Sequence, residues 1–132
     1  MKLRILIVIY VLLIPASVFA GEFSFRCEIM SQYELTSEGK LVKPEKSAYY
    51  PGASFEVDRT TGKIVGAGMN SPSDFQLKVI DSGNNGSFKV FSFAEQRKVA
   101  ESLVIIIRDK KNGKMPFVYV DLLQAIVTGT CD

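Results

Sequence analysis

Histidine and tryptophan are absent from this chain, cysteine occurs only twice, and neither sign of charge dominates, with 16 basic against 14 acidic side chains. Each shortage removes a class of chemistry. Without histidine there is no Ser-His-Asp or Cys-His nucleophile, no imidazole general base and none of the usual histidine-ligated zinc sites. Two cysteines without CxxC spacing make neither a thiol redox pair nor a thiolate metal site. No cofactor and no metal are expected on these grounds.

Long apolar runs are also missing, except at the start. The stretch MKLRILIVIYVLLIPASVFA opens with Lys2 and Arg4, continues through an apolar run ending at Ile14, breaks at Pro15, and places Val18 and Ala20 where a signal peptidase reads. Residues 1–20 therefore read as a secretory signal peptide cleaved before Gly21. The apolar run is shorter than the ~20 residues a membrane span needs, so no anchor is expected after cleavage. Cys27 lies too far past the cut to become a lipidated first residue. The reading is an exported protein, periplasmic or secreted.

Cleavage changes the charge balance, because 16 basic residues less Lys2 and Arg4 leave 14 against 14 acidic ones. A neutral domain of interspersed signs has no basic face with which to displace counterions, which argues against nucleic acid as a partner. The only local basic cluster, Arg108, Lys110, Lys111 and Lys114, is interrupted by Asp109 and centred on Asn112-Gly113, and reads as a solvated hairpin tip. Residues 21–132 suit a single compact domain.

Within that domain the apolar residues recur with period two. Phe23, Phe25, Cys27 and Ile29 alternate with polar residues, as do Phe55 and Val57, and then Phe75, Leu77 and Val79; each pattern predicts a half-buried strand. Phe88 and Val90 alternate as well, but Phe91 and Phe93 fall on the other parity, which a bulge near Val90 would reconcile. Leu103 to Ile107 predicts a strand in the middle of a sheet, and Phe117 to Val120 and Ala125 to Cys131 supply the last two. Thr60-Thr61-Gly62, Ser82 to Gly86 and Lys111 to Lys114 are hairpin turns. Residues 94–101 contain good helix formers and predict one short helical turn. The fold class is all-β, a small antiparallel meander barrel of about eight strands, with a β-sandwich as the alternative.

Cys27 and Cys131 fall in the first and last of these strands, 104 positions apart. Two cysteines in an exported protein pair, and pairing requires their Cα atoms to approach within about 7 Å, bringing the terminal strands side by side.

Candidate sites are few. The acidic residues Glu22, Glu28, Glu34, Glu38, Glu45 and Asp58 fall at loop or strand-exterior positions and read as surface charges, with Asp58 accepting bonds from its own turn. Gly66 and Gly68 suggest a close backbone approach or space for a ligand; they lack the further glycine and following helix of a nucleotide-binding fingerprint. The segment 43–53 combines Lys46, Tyr49 and Tyr50 with a Pro51-Gly52 turn. Adjacent tyrosines cannot both face the core, so one is expected to plug the barrel end and the other to lie outside, where it could contact a partner. Asn85-Gly86-Ser87 matches an N-glycosylation acceptor.

The combination of leader, small all-β domain and terminal cysteine pair resembles exported β-barrel proteins such as lipocalin-like binders and periplasmic lysozyme inhibitors, at the level of fold class and without a diagnostic motif of either group. The expected function is a non-enzymatic binding or interaction module whose partner is a protein, a glycan or a small apolar ligand. Phe55, Phe88 and Phe117 would line the cavity in the last case. The alternatives are a carboxylate-dependent hydrolase and a structural component of the cell envelope.

Overall fold

The computed structural model describes residues 23–132 apart from Asp109; the leader, its cleavage site and Glu22 lie outside the described residues. Nine strands follow in chain order: β1 (Ser24–Leu35), β2 (Leu41–Val42), β3 (Ser54–Asp58), β4 (Ile64–Gly66), β5 (Gln76–Ser82), β6 (Phe88–Ala94), β7 (Val99–Ile105), β8 (Met115–Val120) and β9 (Ile126–Cys131). Eight of them form one antiparallel sheet in the order β4-β3-β1-β9-β8-β7-β6-β5, and β2 pairs with the far end of β1. The sheet curls into a half-barrel. One continuous curled sheet is a meander barrel, and the sandwich alternative falls.

Reading this order as a ring puts each of the eight beside the one before or after it among them, β2 apart, with the first and last meeting at β1 and β9 and one seam, between β4 and β5, left without a ladder. Side chains close that seam. The β3–β4 turn leans across it so that Gly62 faces Val79 and Val90, where an added Cβ would stand 2.3 Å from Val90 Cγ2; only hydrogen fits. Gly62 also has φ +76°, which glycine adopts at no steric cost. The exposed edge of β4 is satisfied by the chain that follows it: Ile64 N donates to Ser71 Oγ (3.0 Å), Ser71 N to Ile64 O (3.0 Å) and Gly66 N to Asn70 Oδ1 (2.8 Å). Such coverage protects a sheet edge from pairing with other chains.

The core consists of the inward parity of each strand, including Phe25, Cys27 and Ile29, Phe55 and Val57, Phe88 and Val90, Leu103 and Ile105, and Phe117. Burying each large side chain of this set stabilises the fold by about 1.5–3 kcal/mol. Phe23 is the exception to the predicted first strand. It precedes β1 and is exposed.

Two local expectations are corrected. Residues 94–101 form no helical turn; Ala94 pairs with Val99, and residues 95–98 make a tight hairpin loop held by Arg97 N to Ala94 O and Lys98 N to Glu95 O. Among the described residues there is no helix. Helix propensity there is a local preference, and cross-strand pairing of the flanks overrides it. The bulge expected near Val90 lies instead in its partner strand, where Ile80 is the extra residue between Val79 and Asp81. β6 itself alternates without interruption, so Phe91 and Phe93 sit on the outer face, stacked with centroids 5.8 Å apart.

Candidate functional site

The interior is sorted by chemistry along its axis. One end is apolar and holds the disulfide between Cys27 and Cys131, which are direct cross-strand partners with Cα atoms 3.9 Å apart. The neighbouring pair Arg26 and Asp132 exchanges both backbone bonds, so the cysteines occupy the closer, non-hydrogen-bonded position. The bridge is compatible with an oxidising compartment. At the other end lie Gln32, Ser92, Glu101 and Asp121, the buried polar residues of the described chain, together with Tyr49 and Tyr119.

Strand parity brings these residues inward. Ser92 continues the inward row of Phe88 and Val90, Glu101 precedes Leu103 and Ile105, and Asp121 follows Phe117 and Tyr119. Gln32 owes its direction to a bulge at Met30, between the pairs Ile29–Gly129 and Ser31–Thr128, which switches the inward parity of β1 from odd to even. Gly129 opposite the bulge has no room for a side chain, since a Cβ there would stand 2.0 Å from Glu28 O.

The loop between β2 and β3 plugs this end. Gln32 Oε1 accepts bonds from Ser47 Oγ (2.7 Å), Ala48 N (2.9 Å) and Tyr49 N (3.2 Å), while the Tyr49 hydroxyl donates to Asp121 Oδ2 at 2.9 Å. Asp121 Oδ1 accepts from Leu123 N (2.9 Å) and Ala125 N (2.8 Å), fixing the β8–β9 turn. Tyr119 stands edge-on to Tyr49, with centroids 6.4 Å apart, and hydrogen-bonds Glu101. Burial pushes the Glu101 carboxyl above its ordinary value; the Tyr119 bond opposes this, the Asp121 charge adds to it, and Arg97 opposes it. Burial raises both phenols well above the usual tyrosine range, reinforced at Tyr49 by its bond to Asp121 and at Tyr119 by the charge of Glu101. Both tyrosines therefore remain hydrogen-bond donors at neutral pH.

Outside the plug, Gln32 and Asp121 also form the polar floor of a cleft of ≈ 330 Å³ whose rim carries Glu34, Leu35, Lys46 and Leu123. Leu123 is 80% exposed and Leu35 59% exposed, and Leu41, also exposed, is the cross-strand partner of Leu35. The three residues singled out from the sequence thus separate. Lys46 lines the cleft, Tyr49 is the interior plug, and Tyr50 is exposed. Phe55, Phe88 and Phe117 are core residues, with Phe55 edge-on to Phe117 at 5.2 Å and Phe88 against Phe25 at 5.1 Å. Gly66 is the close approach, facing Ser54 O and Phe55 Cα, whereas Gly68 meets open space. Asp58 Oδ1 accepts from Thr60 N and Thr61 N, and Glu28, Glu34, Glu38 and Glu45 are exposed.

Sequence reading missed Glu101 and Asp121. Their signal is parity: Glu101-Leu103-Ile105 and Phe117-Tyr119-Asp121 each extend an apolar alternation by one acidic step. Among the described residues no group of three or more metal-ligating side chains occurs. Comparison with models of protein families, with curated proteins and with solved structures finds no match to this chain.

Proposed function

We propose that this is an exported, non-enzymatic interaction module that docks a partner protein through the cleft at its plugged end. The observation that carries the reading is Leu123, a leucine 80% exposed on a turn whose backbone is fixed by two hydrogen bonds to Asp121. An apolar side chain carried in water on a fixed backbone, at a cleft that Leu35 also lines, is contact area whose main chain loses little entropy on binding. Lys46 and Glu34 on the rim add charges of both signs that orient a partner. The filled aromatic core directs the reading away from a small apolar ligand. Export rests on the leader, with the disulfide compatible with it.

The competing hydrolase reading draws on Asp121 and on Glu101, whose carboxyl the Asp121 charge helps to raise. It is the weaker one. Asp121 has Tyr49 on one oxygen and two backbone amides on the other, which leaves it poorly placed to move a substrate proton.

Capture from the native compartment by immobilised protein, with a Leu123→Asp variant in parallel, tests the proposal. The wild type is expected to retain a protein partner that the variant loses by about tenfold or more, the scale of a central apolar contact. Equal capture by the two, or retention of glycan alone, overturns it.

A further inference from the structure

The seam between β4 and β5 is the place in the barrel wall where neighbouring strands share no ladder. Behind it lies a small pocket lined by Ile64 of β4, Leu77 of β5 and Leu103, with Ser92, Glu101 and Tyr119 as its polar floor. The whole pocket, apolar walls included, has ≈ 10 Å³ of free volume, room for about one water-sized group, so a stem behind that group enters only as the seam widens. Ser92 and Glu101 are cross-strand partners, 5% and 8% exposed, and Ser92 Oγ finds no hydrogen-bond partner among the described residues. No salt bridge to Glu101 is found among the described residues, and Arg97, the cation that acts on it, is paired with Asp74 at 2.9 Å and lies over the Phe75 ring.

A buried carboxyl beside an unpartnered hydroxyl is an expensive combination that a packed core avoids. We propose that this floor recognises a primary ammonium group on an aliphatic stem, admitted through the β4–β5 seam. The match is one of number, size and polarity. An ammonium presents three N–H donors, and the floor offers three acceptors in the Glu101 carboxylate, Ser92 Oγ and the Tyr119 hydroxyl oxygen. Its head is about the size of a water molecule, whereas a guanidinium or trimethylammonium head exceeds the space. Ile64, Leu77 and Leu103 supply apolar walls for a methylene stem. Water alone would satisfy the hydroxyl but, wherever Glu101 is ionised, leave its charge without a cation beside it. Because no strand ladder crosses the seam, it can widen to admit the stem without breaking backbone pairing.

The test is a titration of the disulfide-bonded protein with n-butylamine and, separately, with N-acetyl-lysine methylamide, followed by amide NMR shifts and calorimetry. Saturable shifts centred on Ser92, Glu101, Ile64 and Leu77 are expected. Tighter binding of the free amine identifies a small-molecule ligand, and tighter binding of the lysine derivative identifies a side chain of a partner protein; either supports the site. Glu101→Gln and Ser92→Ala should each weaken binding by about tenfold, the scale of a hydrogen bond to a charged group. Ser92→Ala removes only an unpartnered hydroxyl, so the fold survives it. Binding should also weaken as Glu101 is protonated, a step that burial, the Tyr119 bond, the Asp121 charge and Arg97 all influence. No saturable shift with either amine, equal binding of neutral 1-pentanol, or undiminished binding by both variants overturns the proposal. The site is separate from the loop-end cleft, so its failure leaves the docking reading standing.

Discussion

Glu101 carries its carboxyl in the least hospitable part of the molecule, and the consequence is a pH dependence with a definite sign. Its carboxyl is raised above the ordinary value of 4.5, chiefly by burial, so the folded state holds that proton more tightly than the unfolded chain does. Its contribution to stability is therefore intact below about that ordinary value and declines as pH rises through the folded value. Replacing it with glutamine removes the titration. The thermal midpoint of Glu101→Gln should match the wild type's trend near pH 4 and lie progressively above it toward pH 8; a pH-independent difference would contradict this account. Asp58, Asp81 and Asp132 act in the other direction. Their carboxyls are lowered, mainly by bonds from the Thr61 backbone, the Gly83 backbone and Lys114 respectively, so what they contribute is lost as pH falls into the aspartate range. The two windows do not coincide, which lets the glutamine variant isolate Glu101.

At the scale of elements, the plug loop is tied to the barrel by Gln32 and by the bond between Tyr49 and Asp121. Tyr49→Phe keeps the ring and removes the donor, leaving Asp121 Oδ2 buried without a partner. A loss of about 1–3 kcal/mol in denaturant unfolding is expected, with faster amide exchange confined to residues 47–53 and the β8–β9 turn. Uniformly faster exchange across the barrel would show that the loop is not an independent element. This end of the molecule is also where the sequence was hardest to read. Alternation made the strands legible, and the turn residues marked the reversals at Gly62, Gly86 and Asn112-Gly113. Helix formers at 94–98 masked the start of β7, and with it the inward direction of Glu101. Parity reports a bulge only in the strand that carries it, so the mismatch at Phe91 points by sequence to β6, whereas the extra residue is Ile80 of β5 and the outer face holds Phe91 and Phe93. Gln32 was invisible for a related reason: its direction depends on the bulge at Met30, which no residue type in β1 announces.

For the molecule as a whole, the pairing of β1 with β9 joins the first and last strands inside the sheet, and the Cys27–Cys131 bridge crosses the same junction. In the chain-entropy model, a closed loop of 104 residues stabilises the folded state by about 4–5 kcal/mol, a large part of the 5–15 kcal/mol typical of a domain. Reduction, or Cys27→Ser with Cys131→Ser, should lower the stability measured in guanidinium by about that amount, and a change below about 1 kcal/mol would mean that the β1–β9 ladder holds the junction unaided. The same junction imposes an order of events. β1 is made early and finds β3 nearby in sequence, and β5 to β9 can pair successively as a meander, but the inner edge of β1 stays open until β9, the last described strand, has left the ribosome. The nascent chain must therefore carry β1 with one edge unpaired, the edge that meets β9 over Cys27 to Tyr33, for nearly its whole synthesis, exposed to wrong partners.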